Sequence, residues 1–143
     1  MSHVDRQVLN RLLRSLEASL TRLRALRLPD PADPATVSER EWALERGLQV
    51  CIQTVLDLGA HILAAHPSGP IDDYTGLIDG LVALEVIPED LGRRMRPMPG
   101  LRNLLVHDYA EVDPLRLAEL TSHGLGDFDE FLAAVVSWLE RRK

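Results

Sequence analysis

The chain is almost without lysine and cysteine. Of 16 basic residues in 143, 15 are Arg and only Lys143 is Lys. Genome composition can produce such a bias, but its chemical consequence stands. Nearly every cation here can make a planar, bidentate contact to phosphate or carboxylate. One cysteine, Cys51, rules out an internal disulfide, and zinc fingers and iron–sulfur clusters need more thiolates. No uninterrupted apolar run approaches the roughly 18 residues of a membrane span, and no charged-then-apolar leader opens the chain. The expectation is a cytoplasmic protein with no membrane association. Positive charge is also scarce, for the formal net charge is -6. That argues against an indiscriminate nucleic-acid or membrane coat. No segment alternates with period two, so no strand is expected.

What is present is apolar periodicity of the helical kind. A hydrophobic fraction of 45% with 27% charged residues belongs to a globular chain, and the length suits one domain over residues 1–143. Val4, Val8, Leu9, Leu12, Leu13, Leu16, Leu20, Leu23 and Leu26 predict a first amphipathic helix over about 3–27, starting near Ser2 or Asp5. Three prolines at 29, 31 and 34 make 29–35 a stiff connector. Ser38 and Glu41 form a capping box, predicting a second helix from Ser38 to about His66, carrying Trp42, Leu44, Leu48, Cys51, Ile52, Val55, Leu56 and Gly59. Shorter pieces follow over about 72–86, from Pro88 to the interruption at Pro97 and Pro99, and over 101–107. Asp113-Pro114 resembles a capped helix start. A last stripe joins Phe128, Phe131, Leu132, Val135, Val136 and Leu139. The prediction is all-α, an antiparallel helical bundle of four to five main helices, with the bundle after the connector spanning 38–142.

Several sites are weighed against this background. Di-iron bundles use Glu-x-x-His, but the residues three before His61, His66, His107 and His123 are all leucines, so no metal site is expected. Asp57 and His61, four apart, predict a polar pair. Gly124-Leu125-Gly126 lacks a preceding strand and the phosphate-loop Lys, and reads as a turn. No nucleophile elbow is present. Cys51, among apolar neighbours, reads as a core residue.

The informative stretch is 93–107, with Arg93, Arg94, Arg96 and Arg102 and no acidic residue. In an acidic chain this is the one concentrated positive field, a candidate anion site. The plainer alternative is a solvated face whose arginines pair with Glu85, Glu89 or Asp90. Asn103 and His107, four apart, share a helical face. Arg102 is five before His107, about 140° round an ideal helix. Its long side chain can partly wrap back, or the two can converge with copies from a second subunit. Tyr109 falls at the end of this helix, at the mouth of the same cleft.

Arg102-Asn103-x-x-x-His107-x-Tyr109 resembles the R-x4-H-x-Y signature of the HepT-like HEPN family, the toxin members of bacterial toxin–antitoxin pairs. Trp42 to Gln49, Val55 to Ile62 and Met98 to Asn103 are similar to that family's second helix and its approach to the motif. The resemblance covers about residues 38–142. It implies a HEPN bundle acting as a homodimer and a metal-independent endoribonuclease that needs no cofactor. It assigns His107 as acid/base on the ribose 2′-hydroxyl and leaving oxygen, Arg102 as phosphate clamp and Asn103 as positioning donor. Arg93, Arg94 and Arg96 would extend the RNA track. A 2′,3′-cyclic phosphate would form, and DNA would resist cleavage. The resemblance also implies a cognate MntA-like nucleotidyltransferase antitoxin that adenylylates Tyr109, in a toxin–antitoxin pair of type VII kind. The alternative is a non-catalytic HEPN dimer that docks such a nucleotidyltransferase.

Overall fold

A computed structural model describes residues 4–26, 28, 30–66, 74, 76–107, 115 and 124–142. Among them are six helices and no strand: α1 (Arg6–Arg24), α2 (Pro34–Ala64), α3 (Leu77–Ala83), α4 (Glu89–Met95), α5 (Met98–His107) and α6 (Leu125–Arg141). α3 and α4 have seven residues each, so four helices do most of the packing. The predicted all-α bundle is what forms. Asp113-Pro114 lies outside the described residues.

α1 starts where Asp5 caps it, its carboxylate accepting from the backbone N–H groups of Gln7 at 3.1 Å and Val8 at 3.2 Å. Leu9, Leu13, Leu16, Leu20 and Leu23 turn their shared face onto α2 and are buried. Each such side chain contributes about 1.5–3 kcal/mol by leaving water.

α2 begins earlier than predicted. Asp33 caps it, accepting from Ala35 N–H at 3.1 Å, and Pro34 occupies the first turn, where a missing N–H costs nothing. Ser38 and Glu41 therefore sit inside the helix, and the connector is correspondingly shorter. Asp-Pro competes well with a capping box because it both caps and fixes the first φ. An 18-residue window of α2 reaches a mean hydropathy of 1.3, long and apolar enough to cross a membrane by length and composition. A search for unbroken apolar runs misses it because polar residues are interspersed. In the bundle, Leu48, Cys51, Ile52, Val55, Leu56, Leu58 and Ile62 of this helix are core residues, packed by α1, α3, α5 and α6. Trp42 departs from the prediction: it is 77% exposed. It lies two residues from buried Leu44, about 200° round the helix, and so faces the other way.

Gly59 lets α2 and α3 approach closely. A Cβ there would lie 2.5 Å from Leu77 Cδ2 and 3.0 Å from Leu81 Cδ1, both on fully buried side chains. α3 is shorter than expected and ends in a Schellman motif. Val86 N–H reaches Leu81 O at 3.0 Å and Glu85 N–H reaches Val82 O at 2.9 Å, with Glu85 at φ 59° where glycine is usual.

The predicted interruption falls at Arg96-Pro97, between α4 and α5, whereas Pro99 lies within the first turn of α5. Pro97 O accepts the Leu101 N–H at 3.1 Å, so the prolines that end one helix also start the next. Buried Leu105 and half-buried Met98 and Leu101 hold α5 to the core, and α2 is the helix it packs against most. In α6 the buried stripe is Phe128, Phe131, Val135, Trp138 and Leu139; Trp138 replaces Val136, which is exposed.

Candidate active site

Arg102 sits on α5 and is drawn against α2 by amides. Its Nε–H donates to Gln53 Oε1 at 2.9 Å, and Nη1 donates to the neighbouring Asn103 Oδ1 at 3.1 Å. The guanidinium also lies 5.8 Å from the centroid of the Tyr74 ring, within cation–π range. Gln53 in turn donates from Nε2 to Asp57 Oδ1 at 2.9 Å and to Tyr74 Oη at 3.0 Å. No carboxylate forms an ion pair with Arg102 among the described residues. Among the described residues its positive charge is held in place by neutral amides and not cancelled. Asn103 is exposed, its oxygen accepts from Arg102, and its NH2 group has no partner among the described residues.

His107 ends α5 by its backbone, five residues beyond Arg102. Its side chain lies outside the described residues, as does Tyr109. The α5 helix therefore carries Arg102, Asn103 and the His107 backbone on one ten-residue element.

The other arginines of the basic stretch are arranged differently. Arg94 bridges three carboxylates: Asp127 at 3.0 Å, Asp90 at 3.5 Å, and Glu130. Two of these belong to α6, so Arg94 ties α4 to α6. Arg96 pairs with Asp79 of α3, at 2.8 Å from Nη2 and 3.0 Å from Nε. Both are exposed surface pairs, of the solvated-face kind weighed above, though only Asp90 was among the partners expected. Arg93 is exposed and has no ion pair among the described residues. None of the three joins the Arg102 cluster.

The predicted Asp57–His61 pair is not made. Asp57 accepts from Gln53 instead, and His61 stands exposed. Gln53 accepts directly from the guanidinium and was missed by sequence reasoning. Its signal is a polar side chain amid Cys51, Ile52, Thr54 and Val55 on the most apolar helix, where a half-buried amide needs partners. Cys51 is buried, and burial pushes its thiol up to about 12, as suits a core residue and not a nucleophile. No group of three His, Cys, Asp or Glu side chains among the described residues is arranged to hold a metal ion.

Comparison with known proteins gives the family and the fold. The family model described as Ribonuclease HepT-like matches residues 16–135. The chain is 29% identical over 102 residues to the tRNA nuclease HepT of Aphanizomenon flos-aquae, covering 71% of this chain and 69% of that one. It is 29% identical over 92 residues to the mRNA nuclease HepT of Shewanella oneidensis, covering 62% and 66%. In fold it is similar to YutE, a cytosolic protein of unknown function from Bacillus subtilis, with TM-score 0.80 and 24% identity over 99% of this chain and 95% of that one. It is also similar to the tri-AMPylated Shewanella oneidensis HEPN toxin solved in complex with MNT antitoxin, with TM-score 0.76 and 20% identity over 91% and 97%. The chain belongs to the HepT-like ribonuclease family, the HEPN toxins that the Arg102-Asn103-x-x-x-His107-x-Tyr109 stretch resembles.

Proposed function

We propose that this chain is the toxin of a toxin–antitoxin pair, a cytoplasmic endoribonuclease that cleaves RNA by attack of a ribose 2′-hydroxyl on the adjacent phosphorus. The observation that carries the reading is Arg102: a guanidinium held by amides, with its charge left for an incoming anion. In the proposed reaction Arg102 binds the scissile phosphate and stabilises charge on its non-bridging oxygens. Asn103 donates from its NH2 group to position the same phosphate. His107 removes the 2′-hydroxyl proton or protonates the 5′-leaving oxygen, work for which the imidazole group is chemically suited. The 2′-oxygen–phosphorus bond forms as the bond to the 5′-oxygen breaks, giving a 2′,3′-cyclic phosphate. Arg93 extends the RNA track, whereas Arg94 and Arg96 join it only by exchanging a carboxylate for a phosphate. We infer a homodimer in which both α5 helices line one cleft, because Arg102 and His107 lie about 140° apart on one helix.

Silencing is proposed to run through Tyr109. A partner nucleotidyltransferase transfers AMP from ATP to its phenolic oxygen, the phenol losing its proton and pyrophosphate leaving, and the added bulk and negative charge compete with RNA phosphate for the site. The fold-level likeness to a tri-AMPylated toxin bound to its antitoxin supports this route.

The test is induction in cells of the wild type beside Arg102→Ala and His107→Ala, with cleavage of bulk tRNA and single-stranded RNA in EDTA. Arrest by the wild type alone, cyclic-phosphate ends and intact DNA are expected. Arrest that persists in both variants overturns catalysis and favours a docking module. Intact mass after co-expression with the nucleotidyltransferase is expected to rise by AMP units in the wild type. A rise retained in Tyr109→Phe rejects Tyr109 as the acceptor.

A further inference from the structure

We propose that Gln53 of α2 is a positioning residue for the ribonuclease reaction: it aims the Arg102 guanidinium at the phosphate without neutralising it. The inference rests on the reading of Arg102 as the phosphate-binding group.

A side-chain amide can flip, presenting either oxygen or NH2. Here the flip is fixed by its other partner. Gln53 Nε2 donates to the Asp57 carboxylate at 2.9 Å and to Tyr74 Oη at 3.0 Å. Rotating the amide would set its oxygen against the Asp57 carboxylate and its NH2 against the Arg102 Nε–H, two repulsive contacts in place of two attractive ones. Asp57 therefore obliges Gln53 to offer its oxygen to Arg102, as observed at 2.9 Å.

The outcome for the guanidinium is specific. Nε–H is tied to Gln53, one Nη1 N–H is tied to Asn103, and the Tyr74 ring lies beneath. Of five N–H donors, three remain, including both on Nη2, which has no hydrogen-bond partner among the described residues. Both N–H groups of Nη2 and one of Nη1 are the ones left to bind phosphate oxygens. An acid at position 53 would hold Arg102 as firmly but would cancel its charge, as Asp79 does for Arg96. The neutral amide orients the cation, and the anionic Asp57 acts at one remove.

The experiment is single-turnover cleavage of a 5′-labelled single-stranded RNA by the full chain carrying Gln53→Met, Asp57→Asn, Arg102→Ala, and each of the first two combined with Arg102→Ala. Gln53→Met is expected to lower the cleavage rate at saturating enzyme about tenfold, the size of one lost charge-assisted hydrogen bond, with the half-saturating concentration little changed. Asp57→Asn is expected to lower it two- to fivefold, in the same direction although it removes a negative charge near the phosphate site. That sign separates aiming from simple electrostatics, and it carries the test should Gln53→Met fold poorly. In the Arg102→Ala background neither change should lower activity further. Full activity in Gln53→Met, or in Asp57→Asn, overturns the proposal, as does a loss that persists undiminished without Arg102. Wild-type activity in Arg102→Ala itself overturns the reading of Arg102, whereas loss there with Gln53 variants fully active overturns only the role of Gln53.

Discussion

Arg96 and Arg102 stand six residues apart and are used in opposite ways. Arg96 meets the Asp79 carboxylate through two nitrogens and becomes a neutral pair between the end of α4 and α3. Arg94 does the same on a larger scale with Asp90, Asp127 and Glu130. Arg102 meets the oxygens of Gln53 and Asn103, which fix its direction and leave its charge intact. Density of arginine in the sequence does not locate an anion site; the chemistry of each arginine's partners does. An overall charge of -6 is consistent with this, because many carboxylates are available to occupy arginines, while among the described residues Arg102 meets one only through the Gln53 amide.

The contrast can be broken by mutation. The largest effect is expected at Arg102: Arg102→Ala should reduce RNA cleavage about 100-fold or more, as for loss of a transition-state charge donor. Arg96→Ala should change the same rate by less than about fivefold, the worth of an exposed pair. A smaller change follows from liberating Arg96. Asp79→Asn should tighten binding of a 2′-O-methyl RNA and steepen its salt dependence by about 0.7 in log–log slope, one added cation on a single strand. Titration at several salt concentrations measures it. Smaller still, Arg94→Ala should lower stability in urea by no more than about 1 kcal/mol, because its partners are solvent-screened. Least change of all is expected at Cys51. Its thiol should resist disulfide reagents at pH 8 in the native protein and react once unfolded. Since burial raises its pKa to about 12, the stability it contributes is complete below the ordinary thiol range and is lost as pH climbs toward 12.

The helices were legible because their signals are local. The leucine stripe of α1 and the aromatic stripe of α6 repeat at helical spacing, and the buried sets follow them closely. The start of α2 was misread because two capping signals lie five residues apart and the Asp33-Pro34 pair prevails over Ser38. Arg102 and Asn103 were visible as a motif on one helix. Gln53 and Tyr74 were not, since they reach Arg102 from 49 and 28 positions earlier, and no spacing rule within one helix encodes such a contact. The ion pairs of Arg94 with α6 were hidden for the same reason: the acids that neutralise it follow 33 and 36 residues later.

On the proposed function, Arg102 alone among Arg94, Arg96 and Arg102 keeps its charge for a phosphate. The most direct measurement is the salt dependence of binding to a non-cleavable 2′-O-methyl RNA by Arg102→Ala and Arg96→Ala. Loss of about 0.7 from the log–log slope in Arg102→Ala, with Arg96→Ala matching the wild type, is the predicted result. An unchanged slope in Arg102→Ala beside a reduced one in Arg96→Ala would contradict it.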